Sequence, residues 1–269
     1  MQKIIGLAGL ARSGKDTAAS ILLSYPNVNA IALADPLKIG CQALFGLTGP
    51  ETWDDNVKET RIALWDRSPR QIFQEVGTEW MRSYNSNFWL ARMTRMLQFS
   101  NSHFLPLPAA PLDSRIEVKL ACQAFFLFTN EQLTHPVMIR ELDPYWKITP
   151  EDAFSLIERQ TLASFPNWHT QRPHAAPPLI QQRMHIDDTT SLIIKDIRFE
   201  NEASYIRDKQ GEIWHIKRPD RLLVNPHSSE LGINVYASDT VINNDGTILD
   251  LEQSLRRAWT ALHTRQLDS

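Results

Sequence analysis

A chain of 269 residues, 42% hydrophobic and 22% charged, can bury a full core without disulfide or metal staples. Its net charge of -3 supplies no global basic field that would recruit nucleic acid. The two cysteines, Cys41 and Cys122, form no zinc or redox motif, and the apolar start MQKIIGLAGL is too short to span a membrane, so we expect a cytoplasmic protein without a targeting segment.

Lys3–Leu7 reads as a short strand that runs into Gly9-Leu10-Ala11-Arg12-Ser13-Gly14-Lys15-Asp16-Thr17, which satisfies the pattern GxxxxGK. Glycines at those places let several backbone amides point at one phosphate, and the helix expected from Lys15 to about Leu23 presents its positive end there. Lys15 can reach the outer phosphates of a nucleoside triphosphate. Position 16 departs from the general pattern, which has a serine or threonine as magnesium ligand. Asp16, Thr17 one residue later, or both are the expected metal contacts. A purely structural Asp16, favouring the helix N-terminus through the dipole, explains the residue equally well.

Asn29–Ala34 reads as a second buried strand, followed by Asp35-Pro36-Leu37-Lys38. Asp35 either faces ligand at the carboxyl edge of a sheet or caps a helix with proline at its first position. Ser68-Pro69-Arg70-Gln71 is a capping box that opens a helix carrying Ile72, Phe73, Val76 and Trp80. Arg70 and Gln74 are i, i+4 neighbours and Arg82 lies near the same spacing. Guanidinium forks suit a phosphate, although a solvated helix face is the commoner fate of a helical arginine. Gly77-Thr78 interrupts this helix.

Residues 100–188 contain no glycine and ten of the sixteen prolines. Proline-rich connections bound the segment, and EVKLACQAFFLFTNEQL and TPEDAFSLIERQTLASF within it have helical character. Thr149 is the N-cap of the second stretch. We expect an inserted helical subdomain at 100–188 and a discontinuous core made of 1–99 and 189–269.

Beyond the insert, Ser191–Lys195, Ile213–Ile216 and Thr240–Ile242 read as strands, and a last helix places Leu251, Leu255, Trp259 and Leu262 on one face. Asp196 ends an apolar strand, where a metal-holding acid would sit, with Arg198 two residues on. Helix capping, or a salt bridge from Arg198 to Glu202, are the plainer readings. Arg218 and Arg221 follow the fourth strand in a polar stretch. Strands alternating with helices imply an α/β fold of three layers, with a five-stranded parallel sheet covered on both faces. No internal repeat is read in the sequence.

The ordered set of these motifs resembles the phage-type deoxynucleoside monophosphate kinases, a branch of the P-loop kinases. The set comprises GKD with Thr17, Ala34 to Lys38, and Pro69-Arg70-Gln71 with Gln74, Gly77, Thr78, Glu79 and Arg82. It continues with Asp196 to Glu202, Arg218-Pro219, His227 to Glu230 and Asn244-Asp245-Gly246. No motif of that family falls in 100–188.

The resemblance implies phosphorylation of a (deoxy)nucleoside monophosphate to the diphosphate, with ATP as donor and Mg2+ as metal. It implies Lys15, Arg70, Asp196 and Arg198 as catalytic residues. Gly9, Arg12, Ser13, Gly14, Lys15, Asp16, Thr17, Arg218 and Arg221 would bind ATP. Asp35, Lys38, Arg70, Gln74, Thr78, Arg82 and Glu202 would bind the acceptor, and Asp16, Thr17 and Asp196 the metal. The expected partner is a small-molecule nucleotide, with no nucleic acid and no membrane. The insert is left as a cover over the acceptor site or a homodimer contact. Alternative readings are a kinase for another phosphorylated metabolite and a non-catalytic nucleotide sensor.

Overall fold

The computed structural model describes residues 3–10, 12–98, 115–176, 190–219 and 232–264. In chain order the elements are β1 (Lys3–Ala8), α1 (Lys15–Leu22), β2 (Val28–Ala32), α2 (Asp35–Phe45), α3 (Gly49–Trp53), α4 (Pro69–Gln74), which continues as a π-helical segment Glu75–Arg82, and α5 (Phe88–Gln98). After them come α6 (Ile116–Phe126), α7 (Asn130–Thr134), α8 (Pro150–Ser164), α9 (Trp168–Gln171), β3 (Ser191–Ile197), α10 (Glu200–Asp208), β4 (Glu212–Lys217), β5 (Thr240–Asn243) and α11 (Ile248–Thr264). The chain divides into two compact units, Met1–Leu33 with Ile186–Ser269, and Ala34–His185.

The first unit is the three-layer α/β/α fold expected from the sequence. Its five strands are all parallel, in the order β2-β3-β1-β4-β5. A parallel sheet buried on both faces needs near-continuous apolar strands, and SLIIKDI and KIIGLA supply them. Ile5 and Leu7 face one layer, where Ala18, Ala19 and Leu22 of α1 join Leu251 and Leu255 of α11. Gly6 faces the other, so close to Ile206 of α10 and to Ile213 that an added Cβ would stand 2.7 and 2.8 Å from them. The carboxylate of Asp239 fastens the chain entering β5. It accepts from Arg207 of α10, from His215 of β4 and from the amide of Tyr236.

The second unit is helical among its described residues, and none of residues 115–176 joins the sheet. The capping boxes of Ser68 with Gln71 and the N-cap of Thr149 stand as read. The run EVKLACQAFFLFTNEQL is helical as read and forms two helices, because Leu127 takes a left-handed conformation (φ 57°) that ends α6 before Thr129 caps α7. One local expectation changes. The helix begun at Pro69 is not interrupted at Gly77. It widens into π-helix from Glu75 to Arg82 instead, with Leu37 lying where a Cβ on Gly77 would go, 2.6 Å away.

Candidate functional site

In the first unit the loop between β1 and α1 is shaped by its glycines. Gly9 has φ 150°, and a Cβ there would meet the carbonyl oxygen of Ile216 at 2.4 Å. Gly14, at φ 103°, is the N-cap of α1 and leaves that helix without a side-chain cap. A helix start of this kind directs its first amides and its positive dipole end into the loop. Arg12 also holds a left-handed conformation (φ 60°) and is exposed.

Lys15 is 8% exposed. Its ammonium donates to the carbonyls of Gly9 and Leu10, each at 2.9 Å, and lies 3.7 Å from Oδ1 of Asp196. A strand-end acid therefore stands beside the loop lysine, as the positions in the sequence suggested. Asp16 and Thr17 occupy the exposed side of the first turn of α1. Ser13 is 2% exposed and its hydroxyl has no hydrogen-bond partner among the described residues. Arg198 follows β3, and Arg218 is exposed just past β4. Arg221 and the stretch His227 to Glu230 lie outside the described residues.

Asp196 carries a feature that no sequence pattern announced. Gly6 of β1 pairs with Ile194, but Ala8 pairs with Ile197, so β3 holds one extra residue. Asp196 takes up the slack at φ 58°. That conformation costs an L-residue about 1–2 kcal/mol, and such strain collects where geometry serves a site. The bulge re-aims the carboxylate toward the loop. Glu202 holds the turn that follows, accepting from the amides of Arg198 (2.9 Å) and Phe199 (3.1 Å), and it is buried.

Asn244, just past β5, braces the loop from outside. Its side-chain amide donates to the carbonyl of Ser13 at 2.8 Å, and its backbone amide to Lys217 at 2.7 Å. A Cβ on Gly14 would strike this side chain at 2.3 Å. A neutral hydrogen bond contributes about 0.5–1.5 kcal/mol. We therefore expect Asn244→Ala, which removes this bond and leaves the carbonyl of Ser13 without it, to lower stability by about 0.5–1.5 kcal/mol, measured as a fall in the thermal midpoint.

In the second unit Arg70 and Lys38 are linked to two acids, Asp55 and Glu59, that the sequence reading did not single out. Arg70 is ion-paired with Glu59, and its amide donates to the carbonyl of Lys58. Lys58 pairs with Asp55, and Lys38 lies over the Trp53 ring at 4.7 Å from its centre. Partial burial would raise the Asp55 carboxyl, but Lys58, Lys38 and Arg70 hold it below its ordinary value. The charges of three cations thus act on one carboxylate. Asp35 is in the first turn of α2, Thr78 and Arg82 are in the π-helical segment, and Gln74 closes α4. The side-chain nitrogen of Gln74 is buried without a hydrogen-bond partner among the described residues. A π-helical stretch is rare and often marks a functional position. Among the described residues no three His, Cys, Asp or Glu side chains gather as a metal cage, and no helix is long and apolar enough to cross a membrane.

Two comparisons place these features among known proteins. The family model for deoxynucleotide monophosphate kinase matches residues 179–255, which takes in Asp196, Arg198, Arg218 and Asn244. A protein of Acanthamoeba polyphaga mimivirus called "Putative deoxynucleotide monophosphate kinase" is 25% identical over 248 residues, covering 91% of this chain and 90% of its own. The resemblance read from the ordered motifs is borne out by both.

Proposed function

We propose that this relative of the deoxynucleotide monophosphate kinases transfers the terminal phosphoryl group of ATP to a nucleoside monophosphate, a deoxy one by kinship. The observation that carries the reading is the glycine loop with Lys15 buried beside the strained Asp196. The loop amides and α1 bind the donor phosphates, and Lys15 neutralises charge on the group in flight. The residues fit magnesium. That ion keeps several waters and takes one or two protein oxygens together with substrate phosphates, so Asp196, with Asp16 or Thr17, suffices without a cage. Asp196, with Asp16 or Thr17, would hold the ion, which would supply positive charge beside the donor phosphates.

The acceptor reading rests on the second unit. A phosphate monoester has a second pKa of about 6, so its attacking oxygen is already anionic at neutral pH and no general base is needed. The charge that must be offset is met by Arg70, Lys38 and Lys58, whose charges act on Asp55, with Glu59 paired to Arg70. An arriving phosphate would exchange with those carboxylates for the same donors. The orphan amide of Gln74 seeks an acceptor, which a base or sugar oxygen supplies. Arg198 and Arg218 would steady the donor, and Arg82 and Thr78 the acceptor.

One assay panel tests the reading: purified protein, ATP, Mg2+ and each common deoxy- and ribonucleoside monophosphate, with diphosphate formation as readout. At least one deoxynucleotide should be converted. Binding of ATP with no conversion of any monophosphate would replace the kinase with a nucleotide sensor.

A further inference from the structure

The helical unit is built twice. Cys41 and Cys122 lie 81 residues apart, and so do Lys38 and Lys119, Gln42 and Gln123, Phe45 and Phe126, Thr48 and Thr129, Trp65 and Trp146, and Pro69 and Pro150. At that one spacing the local structure recurs. α2 and α6 are each 11 residues long, and α3 and α7 each 5. The two long helices end on left-handed residues, Gly46 at φ 60° and Leu127 at φ 57°. Thr48 with Glu51, and Thr129 with Gln132, form matching capping boxes. Asp66 and Lys147 share an unusual positive φ, 53° and 56°. The indoles of Trp65 and Trp146 donate to the carbonyls of Phe45 and Phe126. Capping alone is generic, but non-glycine residues at positive φ are uncommon, and here they coincide with the aromatic pairs.

The copies interlock reciprocally. Arg172, from the second, donates through Nε and Nη2 to the carbonyl of Ala43 in α2 at 3.1 and 2.9 Å. Arg92, from the first, donates to the carbonyl of Ala124 in α6 at 2.8 Å. Ala43 and Ala124 are equivalent positions. Phe165 of the second copy packs on Phe45 and Trp65, while Phe88 of the first packs on Phe126 and Trp146. α2 lies against α6, where the Phe125 ring occupies the space a Cβ on Gly40 would need. Residue i meeting j while j meets i is the pattern of a two-fold interface, made here inside one chain.

The chemistry is not repeated. Where the first copy has Asp35, Arg70, Gln74, Thr78 and Arg82, the second has Ile116, Glu151, Ser155, Arg159 and Ala163. Glu151 reverses the charge of Arg70. The π-helical segment has no counterpart either, since α8 is α-helical throughout.

We propose that residues 115–176 are a degenerate second copy of 35–98, kept as a built-in partner. It closes the C-terminus and aromatic face of α2, as another chain would, and it has lost the acceptor site. The chain therefore works singly, with one acceptor site; that site count rests on the kinase reading above.

Light scattering on the full chain reads its mass, and calorimetric titration with the monophosphate converted fastest reads the site count. We expect the mass of one chain, 30.8 kDa, and one acceptor per chain. A double variant, Glu151→Ala with Ser155→Ala, should leave the acceptor KM within about twofold, whereas Arg70→Ala raises it about tenfold or more. A two-chain mass overturns the built-in partner. Two acceptor equivalents, or a raised KM in the second-copy variant, overturn the lost site. If no monophosphate binds, the kinase reading falls and the mass alone decides the proposal.

Discussion

Replacing Lys15 with alanine is expected to lower kcat by about 10²–10³-fold, the usual loss when a preorganised group aimed at developing charge is removed. The ammonium is buried, so its charge acts in a medium of low dielectric, and two loop carbonyls and Asp196 fix its place. On the kinase reading, a loose transition state builds charge on the leaving phosphate oxygens within reach of that ammonium, so kcat should fall more than the KM rises. The fold should survive, because the change removes two side-chain hydrogen bonds and leaves the sheet intact. Diphosphate production alongside a thermal melt checks both halves. Wild-type turnover by a folded Lys15→Ala protein would remove the central assignment.

The largest loss of stability is expected at Asp143→Ala in the second unit. Asp143 is 2% exposed and receives Arg95 through two bonds of 2.6 and 2.9 Å, with Gln132 and the amides of Tyr145 and Trp146 as further donors. Arg95 is itself buried. Removing the carboxylate takes away that guanidinium's bidentate charge partner, and breaking a buried pair typically costs about 3–5 kcal/mol. In a domain of this size that is a fall in melting temperature on the order of 10 °C. The pH dependence has a definite sign. Burial alone would raise the Asp143 carboxyl, but the bonds from Arg95, the Trp146 amide and Gln132 hold it below its ordinary value. Its contribution is therefore complete above the unfolded value of about 3.9 and is lost as pH falls through the lower folded value. The gap between wild type and variant should stay constant near neutrality and narrow only in acid.

Much of the donor half was legible in the sequence because its signals are local. A glycine loop between a strand and a helix, a capping box, and an acid at a strand end are each set by a few adjacent residues. What stayed hidden depends on pairing across the chain. The left-handed Asp196 follows from a register slip against Gly6 and Ala8, which composition does not record. Asn244 braces Ser13 from 231 positions away. Asp55 and Glu59 belong to no sequence motif, and only the folded chain pairs Glu59 with Arg70 and Asp55 with Lys58. The internal duplication escaped because its shared residues sit singly or in a run of no more than three, while the intervening helix faces diverged. The constant spacing of Cys-Gln-Ala at 41 and 122, of tryptophan at 65 and 146, and of a hydroxyl-proline pair at 68 and 149 was the available signal. The glycine-free stretch that suggested an insert marks only the later copy, whereas the compact unit also takes in the earlier one.

The strand order has a consequence for the newborn chain. β1 and β2 are made first, yet they are not neighbours, because β3 lies between them. Neither finds its partner until the ribosome has added more than 150 further residues, up to Ile197. The helical unit, by contrast, is one unbroken stretch of sequence, and Arg172 completes it before β3 emerges. Synthesis runs at about 5–20 residues per second, so the first two strands wait on the order of ten seconds with unpaired edges. During that interval the finished helical stretch separates both waiting strands, along the chain, from the strand they need, and their edges are where a chaperone would be needed.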